Sequence, residues 1–306
     1  MIRGINGLEW LLRILVPILV NVAFLTLLER KLLSFRQARV GPNKVGGYGL
    51  LQPFADVVKL FGKGFTLISI VVPRLFLLAP FLRLVLALLF PIVLGLKERG
   101  VIWEYSVLYL LIVLRLNIYP LLLAGWSSNR KYALVGGLRG VSQTISYEIR
   151  LAFLALRLFI EIGKFRLGST SVALRLIWSY PLLILWFLSC VAELNRTPFD
   201  FAEGESELVS GFNIEFGSVK FALIFIAEYA IILSLSLLSA SLLVSNQSLR
   251  IEMVCLGVII ARLVISFRAT YPRYRYDLLI ELAWKRLLPW RLGLVELTLC
   301  FNVWSA

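Results

Sequence analysis

Between positions 193 and 216 the chain reads ELNRTPFDFAEGESELVSGFNIEF, which gathers Glu193, Asp200, Glu203, Glu205, Glu207 and Glu215 into twenty-four residues. The whole chain has eighteen acids against thirty-two lysines and arginines. Carboxylates this close, interleaved with Phe199, Phe201, Leu208, Val209, Phe212 and Ile214, cannot all ionise cheaply. Mutual repulsion and desolvation oppose the charged form, and the set titrates as one coupled group. The chemistry this suits is proton uptake and release near neutral pH. Thr197-Pro198 can cap and open a short helix, which would place Asp200, Glu203 and Glu207 along one face and Glu205 off it. The plainer alternative is a solvated loop with Asp200 as a capping acid. Three acids fall inside or beside apolar stretches: Glu148 in ISYEI, Glu193 after LSCVA, and Glu228 in IAEYA. An ionisable group within a membrane costs a few kcal/mol, so a proton path is the first reading and a static arginine pair the second.

Other chemistries are excluded by composition. The chain has no histidine, which removes histidine-ligated haem, zinc–histidine sites and histidine acid–base catalysis. Cys190, Cys255 and Cys300 are far apart, whereas an iron–sulfur cluster takes four grouped thiolates. Neither GxGxxG nor a P-loop occurs. RATYPRYRYD, residues 268–277, alternates Arg268, Arg273 and Arg275 with tyrosines. Beside a membrane span this is a basic interfacial flank rather than a nucleic-acid surface.

The elements that carry these residues are apolar. Mean hydropathy is +0.86 and 59% of residues are hydrophobic, which marks an all-α integral membrane protein. Eight spans are predicted, at about 8–28, 72–95, 104–125, 140–162, 173–193, 217–244, 251–268 and 279–301. An even number puts both termini on one face. The opposite loops, 29–71, 126–139, 194–216 and 269–278, hold most of the loop lysines and arginines, which places them on the cytoplasm-like side. The expected organisation is a single polytopic domain over 1–306. Within 29–71, ARVGPNKVGGYGLLQP should turn and PFADVVKLFGK should form an amphipathic interfacial helix. No internal repeat is evident, which weighs against a cation/proton antiporter. A purely structural membrane anchor would have no use for mid-span glutamates.

Five segments then carry a resemblance: LLERKLLSFRQARVGPNKVG (27–46), GLLQPFADVVKLF (49–61), GWSSNRKYALVGGLRGVSQTISYEI (125–149), AELNRTPFDFAEGESELVSGFNIEF (192–216) and YPRYRYDLLIELAWKRLLP (271–289). In this order they resemble the chain 1 family of respiratory complex I, the proton-pumping NADH:ubiquinone oxidoreductase. The resemblance implies a subunit of the mitochondrial inner membrane with both termini on the intermembrane-space side. It implies no cofactor in this chain alone, with NADH, FMN and the iron–sulfur clusters handled by partner subunits and ubiquinone as the substrate of a shared chamber. The implied partners are the quinone-site subunits of the hydrophilic arm, small and antiporter-like membrane subunits, and the lipid bilayer. Carried over by position, the quinone-chamber residues are Arg30, Asp56, Phe225, Arg268, Arg273 and Arg275. The proton-coupling acids are Glu148, Glu193, Asp200, Glu203, Glu205, Glu207, Glu215 and Glu228. Phe225 precedes Glu228 by three residues, so on a helix the two occupy neighbouring faces. Arg139, within GGLRG, is expected to pair with loop carboxylates.

One feature strains the span set. Arg83, Arg115, Arg150, Arg157, Arg175 and Arg262 fall inside predicted spans, where each arginine costs about 2.5–3.5 kcal/mol on insertion. The chain also has two methionines against twenty-six isoleucines. Invertebrate mitochondria read AGA and AGG as serine and AUA as methionine, so both oddities fit arginines and isoleucines that are chemically serine and methionine. Arginines that snorkel or pair are the alternative.

Overall fold

The structure, a computed structural model, describes residues 2–64, 71–92, 105–162, 180–202, 204, 211–243 and 250–305. All regular structure among them is helical. In hydrocarbon the backbone must satisfy its own hydrogen bonds, and the helix does so within each segment. The helices are α1 (Ile2–Arg36), α2 (Gln52–Gly62), α3 (Pro73–Leu89), α4 (Ser106–Leu116), α5 (Ile118–Ser127), α6 (Lys131–Ile162), α7 (Tyr180–Glu193), α8 (Ser218–Leu243), α9 (Arg250–Thr270), α10 (Tyr276–Glu281) and α11 (Leu288–Ser305). A π turn, Leu282–Leu287, joins the last two.

Each predicted span overlaps a helix. Among the described residues, four stretches are long and apolar enough to cross a bilayer by themselves: Leu12–Arg36, Ser106–Ser127, Ser218–Leu243 and Glu252–Thr270. The second is α4 and α5 run together across Asn117. α2 is the amphipathic helix expected in the first loop, with Phe54, Val58 and Phe61 exposed. Three expectations need correction. The first helix continues to Arg36, so the first loop begins later than 29. The loop placed at 126–139 is short, because α6 already starts at Lys131. No helix starts at Thr197 either: 194–202 is a run of turns with a cis Thr197–Pro198 bond. Burial of Phe199, Phe201 and Ala202 holds that segment against the bundle instead.

α6 is the central post, and its glycines decide what reaches it. A Cβ on Gly137 would lie 3.1 Å from the Gly125 Cα in α5. One on Gly136 would lie 2.9 Å from the Gly211 Cα, and one on Gly140 2.9 Å from the Ala202 Cβ. Small residues therefore let α5 press on one side of α6 and the ends of the acidic segment on another. Gln143, fully buried one turn further on, donates to the Ala192 carbonyl at 2.9 Å and the Phe199 carbonyl at 2.8 Å. It satisfies acceptors that the turns leave without helical donors. The 271–275 linker closes over the same segment, with the Tyr274 amide donating to the Pro198 carbonyl at 3.0 Å.

Gly137→Ala should therefore force α5 and α6 apart at a backbone contact, at a cost of about 1–3 kcal/mol. The expected outcome is a lower thermal midpoint of the assembled complex. Gly62→Ala, where an added Cβ meets nothing within 4 Å, should leave that midpoint unchanged.

Candidate functional site

Glu228 sits on α8 with only 8% of its surface exposed. Its carboxylate receives Arg83 from α3 at 3.0 Å and Arg196 from the 194–202 turns at 3.3 Å. The Arg196 guanidinium also lies 4.7 Å from the centre of the Tyr229 ring. The Tyr229 hydroxyl interacts electrostatically with Glu29 of α1, and Glu29, itself buried, pairs with Arg268 of α9. A continuous string of charge and hydroxyl thus runs through Arg268, Glu29, Tyr229, Arg196 and Glu228, tying four separate parts of the chain together. Glu29 belongs to the LLERK motif but was not among the residues picked from sequence. Its signal was available: an acid at the end of an apolar run, next to two basic residues.

Glu148 and Glu193 form a second group. Glu148, on α6, has Arg115 at 3.8 Å, a long contact to a largely exposed guanidinium. Its Oε1 and the Oε2 of Glu193 are buried without a hydrogen-bond partner among the described residues. Glu193 closes α7 and interacts electrostatically with both Glu148 and Arg150. The expectation of acids collected beside the membrane thus resolves into one carboxylate held by cations and two with little direct pairing.

The remaining sequence-selected residues are placed as follows. Asp200 meets Arg273 at 3.2 Å, and Glu215 meets Arg130 at 3.1 Å. Arg30 of α1 and Asp56 of α2 pair at 2.5 Å, with Gln52 donating to the other carboxylate oxygen at 3.0 Å. Phe225 is partly buried on α8, its ring 4.3 Å from that of Phe221. Arg275 pairs with its near neighbour Asp277 at 3.4 Å, and both are exposed. Arg139 stacks over the Tyr276 ring at 5.6 Å, and the Tyr276 hydroxyl meets Ser142 at 2.5 Å. Glu203, Glu205 and Glu207 lie outside the described residues, as does Arg175.

An apolar pocket lies elsewhere in the bundle, walled by Phe90, Leu114, Leu151, Trp186 and Leu238 among others. None of the residues chosen for a quinone chamber lines it. No group of three or more histidine, cysteine or acidic residues able to hold a metal occurs among the described residues.

The family model described as NADH dehydrogenase matches residues 10–299. A protein of Branchiostoma lanceolatum named NADH-ubiquinone oxidoreductase chain 1 is 49% identical over 287 residues, covering 92% of this chain and 91% of its own length. Proteins of the same name from Tetraodon nigroviridis and Aedes aegypti are 47% and 46% identical, each covering over nine-tenths of both chains.

Because Glu228 is the counter-charge of a buried Arg196, Glu228→Gln should destabilise the protein by about 3–5 kcal/mol. Asp277→Asn removes an exposed partner and should change stability by less than about 1 kcal/mol. Thermal inactivation of the two assembled variants, compared side by side, checks both.

Proposed function

The chain belongs to the NADH dehydrogenase family as a core membrane subunit of NADH:ubiquinone oxidoreductase, and from that premise we propose how its residues divide the work. Its partners are the other subunits of that complex, and its helices make it a multi-pass membrane protein of the mitochondrial inner membrane. On the proposed reading, one side contributes a wall to a shared ubiquinone chamber. Another side begins a protonation path into the membrane.

The chamber wall consists of α1, α2 and the first turns of α8. The Arg30–Asp56 pair fixes α2 against α1, and Phe24 meets Phe54 edge-on at 6.1 Å. Phe225 packs against the main apolar core from α8. Ubiquinone is a lipid, so a largely apolar wall with few polar groups suits it. Arg30, Asp56, Arg268, Arg273 and Arg275 would supply those groups, and the exposed faces of Phe54 and Phe61 would be completed by partner subunits. The loop side then faces the matrix, as the distribution of lysines and arginines favours.

The path is carried by one observation: Glu148 and Glu193 are buried beside each other without hydrogen-bond partners for one oxygen of each among the described residues. Reduction of ubiquinone takes up protons as well as electrons. Carboxyls next to the chamber that can exchange protons would couple that demand to the rest of the membrane arm. Asp200, Glu203, Glu205, Glu207 and Glu215 would form the loop-side mouth, and Glu148, Glu193 and Glu228 the part inside the membrane. Electrons reach the chamber from redox groups of partner subunits, since this chain offers no ligand set for one.

Glu207→Gln should lower NADH:ubiquinone turnover several-fold in fully assembled complex while electron transfer from NADH to hydrophilic acceptors stays intact. Unchanged ubiquinone turnover would count against the path. A photoreactive ubiquinone should label peptides from α1, α2 or the start of α8, in competition with ubiquinone itself. Labelling confined to other subunits would remove this chain from the chamber wall.

A further inference from the structure

Arg150 is completely buried in the middle of α6, and neither of its terminal nitrogens has a hydrogen-bond partner among the described residues. Its guanidinium lies over the ring of Tyr147, 3.4 Å from the centre. Nearby stands a second buried guanidinium, Arg291 of α11, whose Nε and Nη1 are likewise without partners. The two cations repel one another. A buried charge is tolerated when it is paired and fully hydrogen-bonded, and here two like charges lie close together, with Glu193 the acid that interacts with Arg150.

The hydrogen bond that Arg150 does make is informative. Its Nε donates to the Ser146 carbonyl, four residues back, at 2.9 Å. That is the bond a hydroxyl makes from within a helix, and this protein uses it repeatedly. Ser146 donates to the Ser142 carbonyl at 2.7 Å, Thr144 to the Gly140 carbonyl at 3.2 Å, and Ser234 to the Ala230 carbonyl at 2.7 Å. Positions 142, 146 and 150 are spaced four apart, so a hydroxyl at 150 continues a row that already exists on α6.

We infer that position 150 carries serine in the protein the organelle makes, the arginine being spelled by AGA or AGG, codons that its ribosomes read as serine. On the same reading, the two methionines beside twenty-six isoleucines would follow from AUA codons read as methionine. The same reading at 83 removes a cation whose Nη1 is buried without a hydrogen bond and leaves Glu228 paired one to one with Arg196. At 262 it removes a charge from an exposed, otherwise apolar face of α9 formed with Val258, Ile259 and Leu263.

The consequence for the site rests on the protonation path proposed above. With serine at 150, no fixed cation from α6 stands beside Glu193. A hydroxyl, which both donates and accepts a hydrogen bond, lies in that row instead. Position 150 is then a positioning residue for the buried acids rather than their counter-ion.

The test is sequencing by mass spectrometry of chymotryptic and tryptic peptides from the denatured, purified complex, spanning residues 143–157. Serine at 150, with no tryptic cleavage after that position, is the expected result. Arginine at 150, or glycine there, overturns the inference. The identity of this residue does not depend on the path, so a failure of the Glu207→Gln experiment leaves the peptide result standing, and the converse also holds.

Discussion

The constraint on which the rest of this structure depends is the expense of charge in a low-dielectric interior. A helix bundle of this hydropathy gains little by holding acids and bases inside, so each one present needs a partner or a purpose. Where partners exist they join elements that are remote in sequence. Glu29 brings α1 to α9 through Arg268, and Glu228 brings α8 to the turns after α7 through Arg196. Tyr229 stands between these two pairs, its hydroxyl interacting electrostatically with Glu29 while its ring takes the Arg196 guanidinium. The irregular 194–202 segment is therefore positioned by electrostatics from below and by Gln143 from the side.

Glycine makes that arrangement reachable. Without the close approach of Gly136 to Gly211 and of Gly140 to Ala202, the acidic segment would stand further from α6. The Gln143 amide could not then span the Ala192 and Phe199 carbonyls. Backbone contact, a buried amide and an ion pair act on the same short segment from three directions. That over-determination accounts for a run of turns without helical hydrogen bonds being buried beside a membrane bundle.

Much of the architecture was legible in the sequence because length and hydropathy alone specify a membrane helix. All eight predicted spans meet helices, and α2 was visible from the spacing of Phe54, Val58 and Phe61. The failures have physical causes. The start of α6 was set too late because Lys131, Tyr132 and Arg139 break the apolar run without breaking the helix. The helix expected from Thr197-Pro198 does not form, because local capping signals yield to burial of Phe199 and Phe201 and to the tertiary bonds from Gln143. Pairings such as Arg273 with Asp200 were invisible, since nothing in the spacing of residues 73 positions apart reports contact. Glu29 was overlooked because it lies within a basic motif whose charge draws attention to its arginine and lysine.

The distribution of counter-charges follows a gradient that bears on function. Carboxylates near the loop side, Asp56, Asp200 and Glu215, each face an arginine. Deeper in, Glu228 keeps a cation, while Glu148 has only a distant one and Glu193 has an oxygen with no hydrogen-bond partner. A fixed cation holds a carboxylate in one protonation state, whereas a carboxyl without one can gain and lose a proton. On the proposed reading, the paired acids fix geometry and the sparsely paired ones carry protons. The two classes meet at the end of α7, where Ala192 is held by Gln143 and Glu193 follows it directly. A displacement of the 194–202 turns, whether from the Arg273–Asp200 side or from Arg196, would be felt at Glu193 through a rigid backbone rather than through a chain of flexible side chains.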